Sequence, residues 1–221
     1  MTWQQRLNQE KSLFQIYKIA RVVAFSKGNV IASVGVFVIA VLMLGINAFT
    51  GMVVASIPAL QNAINSVADT GFTFTSTMLG FLISGFAIFA SISKPDVLII
   101  LARTDYKNPR ISELQFIFFN FILVFIHYII FLGACAIIKI LSGDSAPLPR
   151  GLDLVSAYSE AIGCALTSTL LAALLSWLAF VTLLLKSFIW NLYQSVLITI
   201  QIEDLLKQTH RTDDSDCEHK K

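Results

Sequence analysis

The chain has 221 residues, 56% of them hydrophobic and only 14% charged, with a formal net charge of +2. That length leaves room for one membrane-embedded helical unit with short flanking helices, and no separate soluble enzyme domain is expected. Four apolar stretches, roughly Val30–Phe49, Phe72–Ile92, Phe116–Leu141 and Ile162–Leu185, each supply the ~20 residues a helix needs to cross ~30 Å of hydrocarbon.

Hydrocarbon offers no partner to backbone N–H and C=O groups, so runs of this kind are spanning helices. The expected fold is an all-α integral membrane protein with four transmembrane helices and short amphipathic flanking helices. Residues 1–28 are expected to form a cytoplasmic amphipathic helix, 29–186 the transmembrane domain, and 187–221 a cytoplasmic helical extension and disordered tail. The first apolar run is too long for a signal-peptide core and is read as an uncleaved span.

In the first flank, Gln4, Asn8, Lys11, Gln15 and Lys18 share a polar face, while Leu13, Ile16, Ala20 and Val23 make an apolar stripe. A helix of this type is expected to rest on the headgroups, its lysines meeting anionic lipid or receiving an anionic cytoplasmic ligand. After the first span, Ser56 and Pro58 suit a helix start, and Leu60, Ile64 and Val67 suggest a short amphipathic helix that Gly71 closes. Its Gln61, Asn62, Asn65 and Asp69 suit a wet vestibule or a solvated surface.

The second span ends at Lys94–Pro95, and Pro95 opens a short helix to Arg103. Asn108–Pro109 offers a similar start for the third helix, and Lys139 can snorkel from its far end. Ser142–Asp153, with Pro147, Pro149 and Gly151, is a connector. Beyond the fourth span, Ile189, Leu192, Tyr193, Val196 and Ile200 form an apolar stripe on a helical extension, with Trp190 and Tyr193 at interfacial depth, and Thr212–Lys221 is expected to be disordered.

Lys and Arg near span ends stay on the cytoplasmic side. They cluster before the first span (Arg6, Lys11, Lys18, Arg21, Lys27), between the second and third (Lys94, Arg103, Lys107, Arg110) and after the fourth (Lys186, Lys207, Arg211, Lys220, Lys221). Both termini are therefore expected in the cytoplasm. Lys11, Lys18, Arg103, Lys107 and Arg110 are the candidates for an anionic ligand or lipid.

Small residues mark two interhelical faces. Thr73, Ser76, Gly80, Ser84, Ala87 and Ser91 recur at spacings of three and four along the second span, with Phe74, Phe81 and Phe89 opposite. Ala161, Ala165, Ser168, Ala172, Ser176 and Ala179 do the same on the fourth, backed by Leu170, Leu174, Trp177 and Val181. Lipid is as apolar as Leu, so close backbone approach and hydroxyl hydrogen bonds drive helix association. Either the two seams meet inside one subunit, or one of them lines a path at the axis of a homo-oligomer.

On the third span, Glu113, Asn120 and His127 are each seven residues apart and share one side. An ionisable group at the depth of His127 needs a partner or water. A neutral imidazole bonded to a neighbouring helix and a pore-lining or gating group both meet that need. Cys135 and Cys164 are read as packed small hydrophobes. The chain has no H-E-x-x-H, no phosphate-binding Gly-rich loop, no C-x-x-C and no G-x-S-x-G, so neither an enzyme, a metal site nor a cofactor is expected.

The run Gly80–Ser93, GFLISGFAIFASIS, followed by a short basic-flanked apolar helix, resembles a segment of small multi-span bacterial membrane proteins, some of which are thought to act as membrane-disrupting effectors of antiphage defence. The resemblance implies a homo-oligomer in the bacterial inner membrane whose cytoplasmic side answers a signal or protein trigger. The expected function is a non-enzymatic protein that forms or gates an ion-permeation path. An accessory subunit whose seams bind another membrane protein is the alternative.

Overall fold

The computed structural model describes residues 12–23, 27–50, 56–92, 94–106, 111–142, 151, 154 and 159–218. Among them are six helices, α1 (Leu13–Val23), α2 (Lys27–Thr50), α3 (Ile57–Ile92), α4 (Pro95–Arg103), α5 (Glu113–Leu141) and α6 (Glu160–Glu218). Four of these, α2, α3, α5 and α6, are long and apolar enough to cross a membrane, so the chain is a membrane-embedded helical protein.

Two helix boundaries differ from the sequence reading. The helix that starts at Ser56, whose carbonyl accepts from Leu60 N at 3.1 Å, does not close at Gly71 but continues through the second span as one helix of 36 residues, about 54 Å long. Gly71 is a point of close approach instead. A Cβ there would lie 3.0 Å from Cys135 Sγ and 3.1 Å from the Phe131 ring, closer than ordinary contact, so any side chain at this position would make Cys135 and Phe131 give way by a few tenths of an ångström.

The second difference is the start of α5. Asn108–Pro109 lies outside the described residues, and the cap is Ser112. Gln115 N donates to Ser112 Oγ at 3.2 Å, while Ser112 N donates to Gln115 Oε1 at 3.1 Å. This reciprocal S-x-x-Q box satisfies two helix-end donors at once. It is followed by an apolar run, the pattern that marks such a start in a sequence.

α4 begins as expected, with Pro95 in its first turn after an extended Lys94. α6 continues without a break to Glu218, so most of Thr212–Lys221 is helix and not the expected disordered tail. Most of the Ser142–Asp153 connector lies outside the described residues.

The helices contribute to two compact units. The unit made of Met1–Phe25, Ile83–Leu123 and Lys186–Lys221 has an aromatic centre. Phe121 meets Phe86 and Phe188 edge-on, with centroids 5.1 and 4.7 Å apart, tying α3, α5 and α6 by the geometry aromatic pairs favour. In the same unit the segment joining α4 to α5 folds back on itself. Tyr106 N donates to Ile111 O, Glu113 N donates to Thr104 O, and the Tyr106 and Phe116 rings stack at 4.1 Å. Lys94 pairs with Glu203 at 2.6 Å.

α1 departs from expectation in its environment. Ala20 is buried with Ile111, Phe119 and Leu123, and Ile16, Tyr17 and Ile19 pack on that cluster. The part of the apolar stripe formed by Ile16 and Ala20 therefore meets protein, not lipid. Leu13, at the helix start, is exposed.

The unit made of Ser26–Leu82 and Val124–Leu185 is held by polar contacts between helices. Fully buried Tyr128 on α5 donates from Oη to Val181 O on α6 at 2.9 Å, and Phe131 packs on Trp177 one turn further along. On α2, Asn29 Nδ2 donates to Leu183 O at 3.3 Å, and Ser33 and Ser176 each donate from Oγ to the other's carbonyl at 2.8 Å. Lys139 reaches Asp69 at 2.7 Å and lies over the Phe72 ring. Asp69 is exposed, in keeping with the solvated surface read from the sequence, and its ion pair with Lys139 links α3 and α5 at that surface.

Candidate functional site

The two small-residue seams have different environments. On α3 every seam residue, Thr73, Ser76, Gly80, Ser84, Ala87 and Ser91, is exposed, while Leu60, Ile64, Ala68, Gly71, Thr75, Leu82 and Phe89 form the buried face. The expectation that the α3 seam packs against its counterpart inside one subunit is therefore corrected. The reason is volume: the larger side chains Leu82 and Phe89 fill the interior better than serines do. Phe81, assigned to the same side as Phe89, is exposed.

Gly80 sharpens the contrast with Gly71. A Cβ at Gly80 would meet nothing within 4 Å, so no contact inside the chain demands a glycine there. Some hydroxyls along this helix bond back to its own carbonyls: Thr77 Oγ1 donates to Thr73 O at 2.9 Å and Ser91 Oγ to Ala87 O at 2.8 Å. The result is an open, small-volume, weakly polar strip along a membrane-crossing helix.

The α6 seam is divided. Ala161 and Ala165 are exposed, Ser168 is half-buried and Ala172 is fully buried. Ser176 packs on α2 through Ser33, a partner the sequence reading did not single out. Leu174, Trp177 and Val181, expected merely to back the seam, contribute to the packed face.

On α5, Glu113 is half-buried in the first turn, where a carboxylate complements the helix dipole. Asn120 is buried, and His127 is half-buried with its ring edge-on to Phe180, centroids 5.5 Å apart. Near the helix start, burial and the Glu113 charge both push the Tyr106 phenol above its ordinary range. Of the basic candidates, Lys18 and Arg103 are exposed, and Lys11, Lys107 and Arg110 lie outside the described residues.

No family model, curated protein or solved structure matches this chain.

Three positions absent from the sequence candidates stand out in the structure. Tyr128 and Ser33 make interhelical bonds that depend on which helix lies opposite. Thr75 is fully buried, with no hydrogen-bond partner for Oγ1 among the described residues, although threonines elsewhere in the chain, such as Thr167, bond back to their own helix. No group of three or more His, Cys, Asp or Glu side chains suited to a metal occurs among the described residues.

The α6 extension also inverts the usual arrangement. Ser195 and Thr199 are inside, each donating to a carbonyl four residues back, while Ile189, Trp190, Tyr193, Val196 and Ile200 face outward.

Proposed function

We propose that this is a non-enzymatic membrane protein of the bacterial inner membrane, with both termini in the cytoplasm, whose copies associate along the α3 seam and enclose a path for ions. The observation that carries this reading is the outward position of Thr73, Ser76, Gly80, Ser84 and Ser91 on a helix apolar enough to span. Lipid gives no advantage to small hydroxyl residues over leucine, whereas a neighbouring helix or a wet lumen does. The open space at Gly80 leaves room for a neighbouring helix to approach the seam.

A path on the α3 surface leaves Asn120 and His127 as groups that tune it through α5. His127→Leu should change conduction if this position tunes the path, and conduction equal to wild type would show that His127 serves packing alone. The resemblance of Gly80–Ser93 supports membrane disruption in defence as the biological form of this activity, with a cytoplasmic ligand or protein as trigger.

Purified protein in liposomes should conduct ions, and Gly80→Leu or Ser84→Leu should abolish conduction while converting a discrete homo-oligomer into monomer by native mass measurement. Tight vesicles at high protein density would overturn the proposal. The same exposed seam supports the accessory-subunit reading, which predicts a wild-type chain that is monomeric when expressed alone.

A further inference from the structure

α1 turns two chemically distinct faces outward and inward. Its inward face, Ile16, Tyr17, Ile19 and Ala20, is taken up by Ile111, Phe119 and Leu123. On the outward side Phe14, Lys18 and Arg21 stand at positions i, i+4 and i+7 and therefore align along the helix. Phe14 is 76% exposed, an unfavourable state for an aromatic ring in water. The helix sequence, LFQIYKIARVV, holds no acidic residue to neutralise the two cations.

The chain also fixes where this face must work. Only residues 24–26 separate α1 from α2, the first membrane-crossing helix. Four peptide steps reach at most about 14 Å, so the end of α1 is tethered beside the bilayer surface. A face of one aromatic ring and two cations at that depth suits a phospholipid: the ring enters the glycerol and upper acyl region, and the ammonium and guanidinium groups donate to phosphate oxygens.

We propose that Phe14, Lys18 and Arg21 form a docking face for anionic phospholipid headgroups, while Ile16 and Ala20 of the apolar stripe fasten α1 to α5. α1 thereby joins headgroup charge to the Phe119–Leu123 part of α5. This inference does not depend on oligomerisation or conduction.

The test uses the full chain in nanodiscs of phosphatidylcholine, with or without phosphatidylglycerol, followed by amide hydrogen exchange. Exchange across α1 should slow when phosphatidylglycerol is present, and the slowing should fade at high salt. Lys18→Gln and Arg21→Gln should each reduce the phosphatidylglycerol effect roughly fivefold; together they should eliminate it, with the exchange of α5 unchanged as the control for folding. Phe14→Ala should weaken it in both the presence and absence of either cation. Equal exchange in the two lipids, a double variant that keeps the response, or equal slowing by inorganic phosphate in pure phosphatidylcholine would each overturn the assignment.

Discussion

Ser33 and Ser176 offer the most direct measurement of what attaches α2 to the protein. The two hydroxyls make three short contacts, to each other's carbonyls at 2.8 Å and between the Oγ atoms at 3.0 Å, but they own only two protons. With both protons directed to carbonyls, the Oγ···Oγ approach carries no hydrogen bond, and each bond survives removal of the other hydroxyl. Interhelical hydrogen bonds in membranes average about 0.6 kcal/mol and reach about 1.7 kcal/mol. Ser33→Ala and Ser176→Ala should therefore each cost about 0.6 kcal/mol, and the double variant about twice that, with a coupling energy below about 0.5 kcal/mol. Ser33→Leu should cost more, about 1–3 kcal/mol, because a larger side chain must fit where Ser33 Oγ lies 2.8 Å from Ser176 O. Reversible unfolding in mixed micelles, with a fluorescence pair reporting α2–α6 separation, gives these values. A coupling energy well above 0.5 kcal/mol would mean that the hydroxyls bond each other, and a Ser33→Leu variant of wild-type stability would refute the contact itself.

Other substitutions separate the structural roles assigned above. Gly71→Leu should destabilise the protein by about 1–3 kcal/mol by overpacking against Phe131 and Cys135, whereas Gly80→Leu should leave monomer stability unchanged in the same unfolding assay. Thr75→Val should be neutral or stabilising by up to about 1 kcal/mol, since it removes a buried hydroxyl without a partner, while Tyr128→Phe should cost about 1 kcal/mol by removing a satisfied one. Ser112→Ala should cost about 1 kcal/mol and fray the first turn of α5 in hydrogen exchange. Because the folded-state pKa of Tyr106 is raised above its unfolded value, the stability it contributes is fully present below pH ~10 and is lost as pH rises through the folded value. The ultraviolet titration of Tyr106, isolated by difference against Tyr106→Phe, should move to lower pH in Glu113→Gln yet stay above that of an exposed tyrosine; no movement would remove Glu113 as a cause.

The spans were legible because crossing hydrocarbon demands a length and a polarity that every residue in the run must respect. Helix starts are legible where the signal is local, as at Pro58 and Pro95, and the Ser112–Gln115 box is such a signal, which competes in the sequence with the neighbouring Asn108–Pro109. Gly71 shows why local signals fail in other places. A glycine after an amphipathic stretch ordinarily reads as a helix end, and only the presence of Phe131 and Cys135 opposite makes it a contact point within a continuous helix.

The seams show the same division at the level of function. Periodicity determined that Thr73, Ser76, Gly80, Ser84 and Ser91 lie on one side of a helix, because a rotation of about 100° per residue is a property of the backbone alone. Which side faces inward was decided by tertiary packing, in which larger side chains such as Leu82 and Phe89 filled the interior and the small ones were left outside. Likewise, the residues of α1 specified an amphipathic helix, but whether its apolar stripe met lipid or protein depended on Phe119 and Leu123, about a hundred residues away. Spacing along a chain defines faces; only competition among helices for the same interior volume assigns those faces their partners.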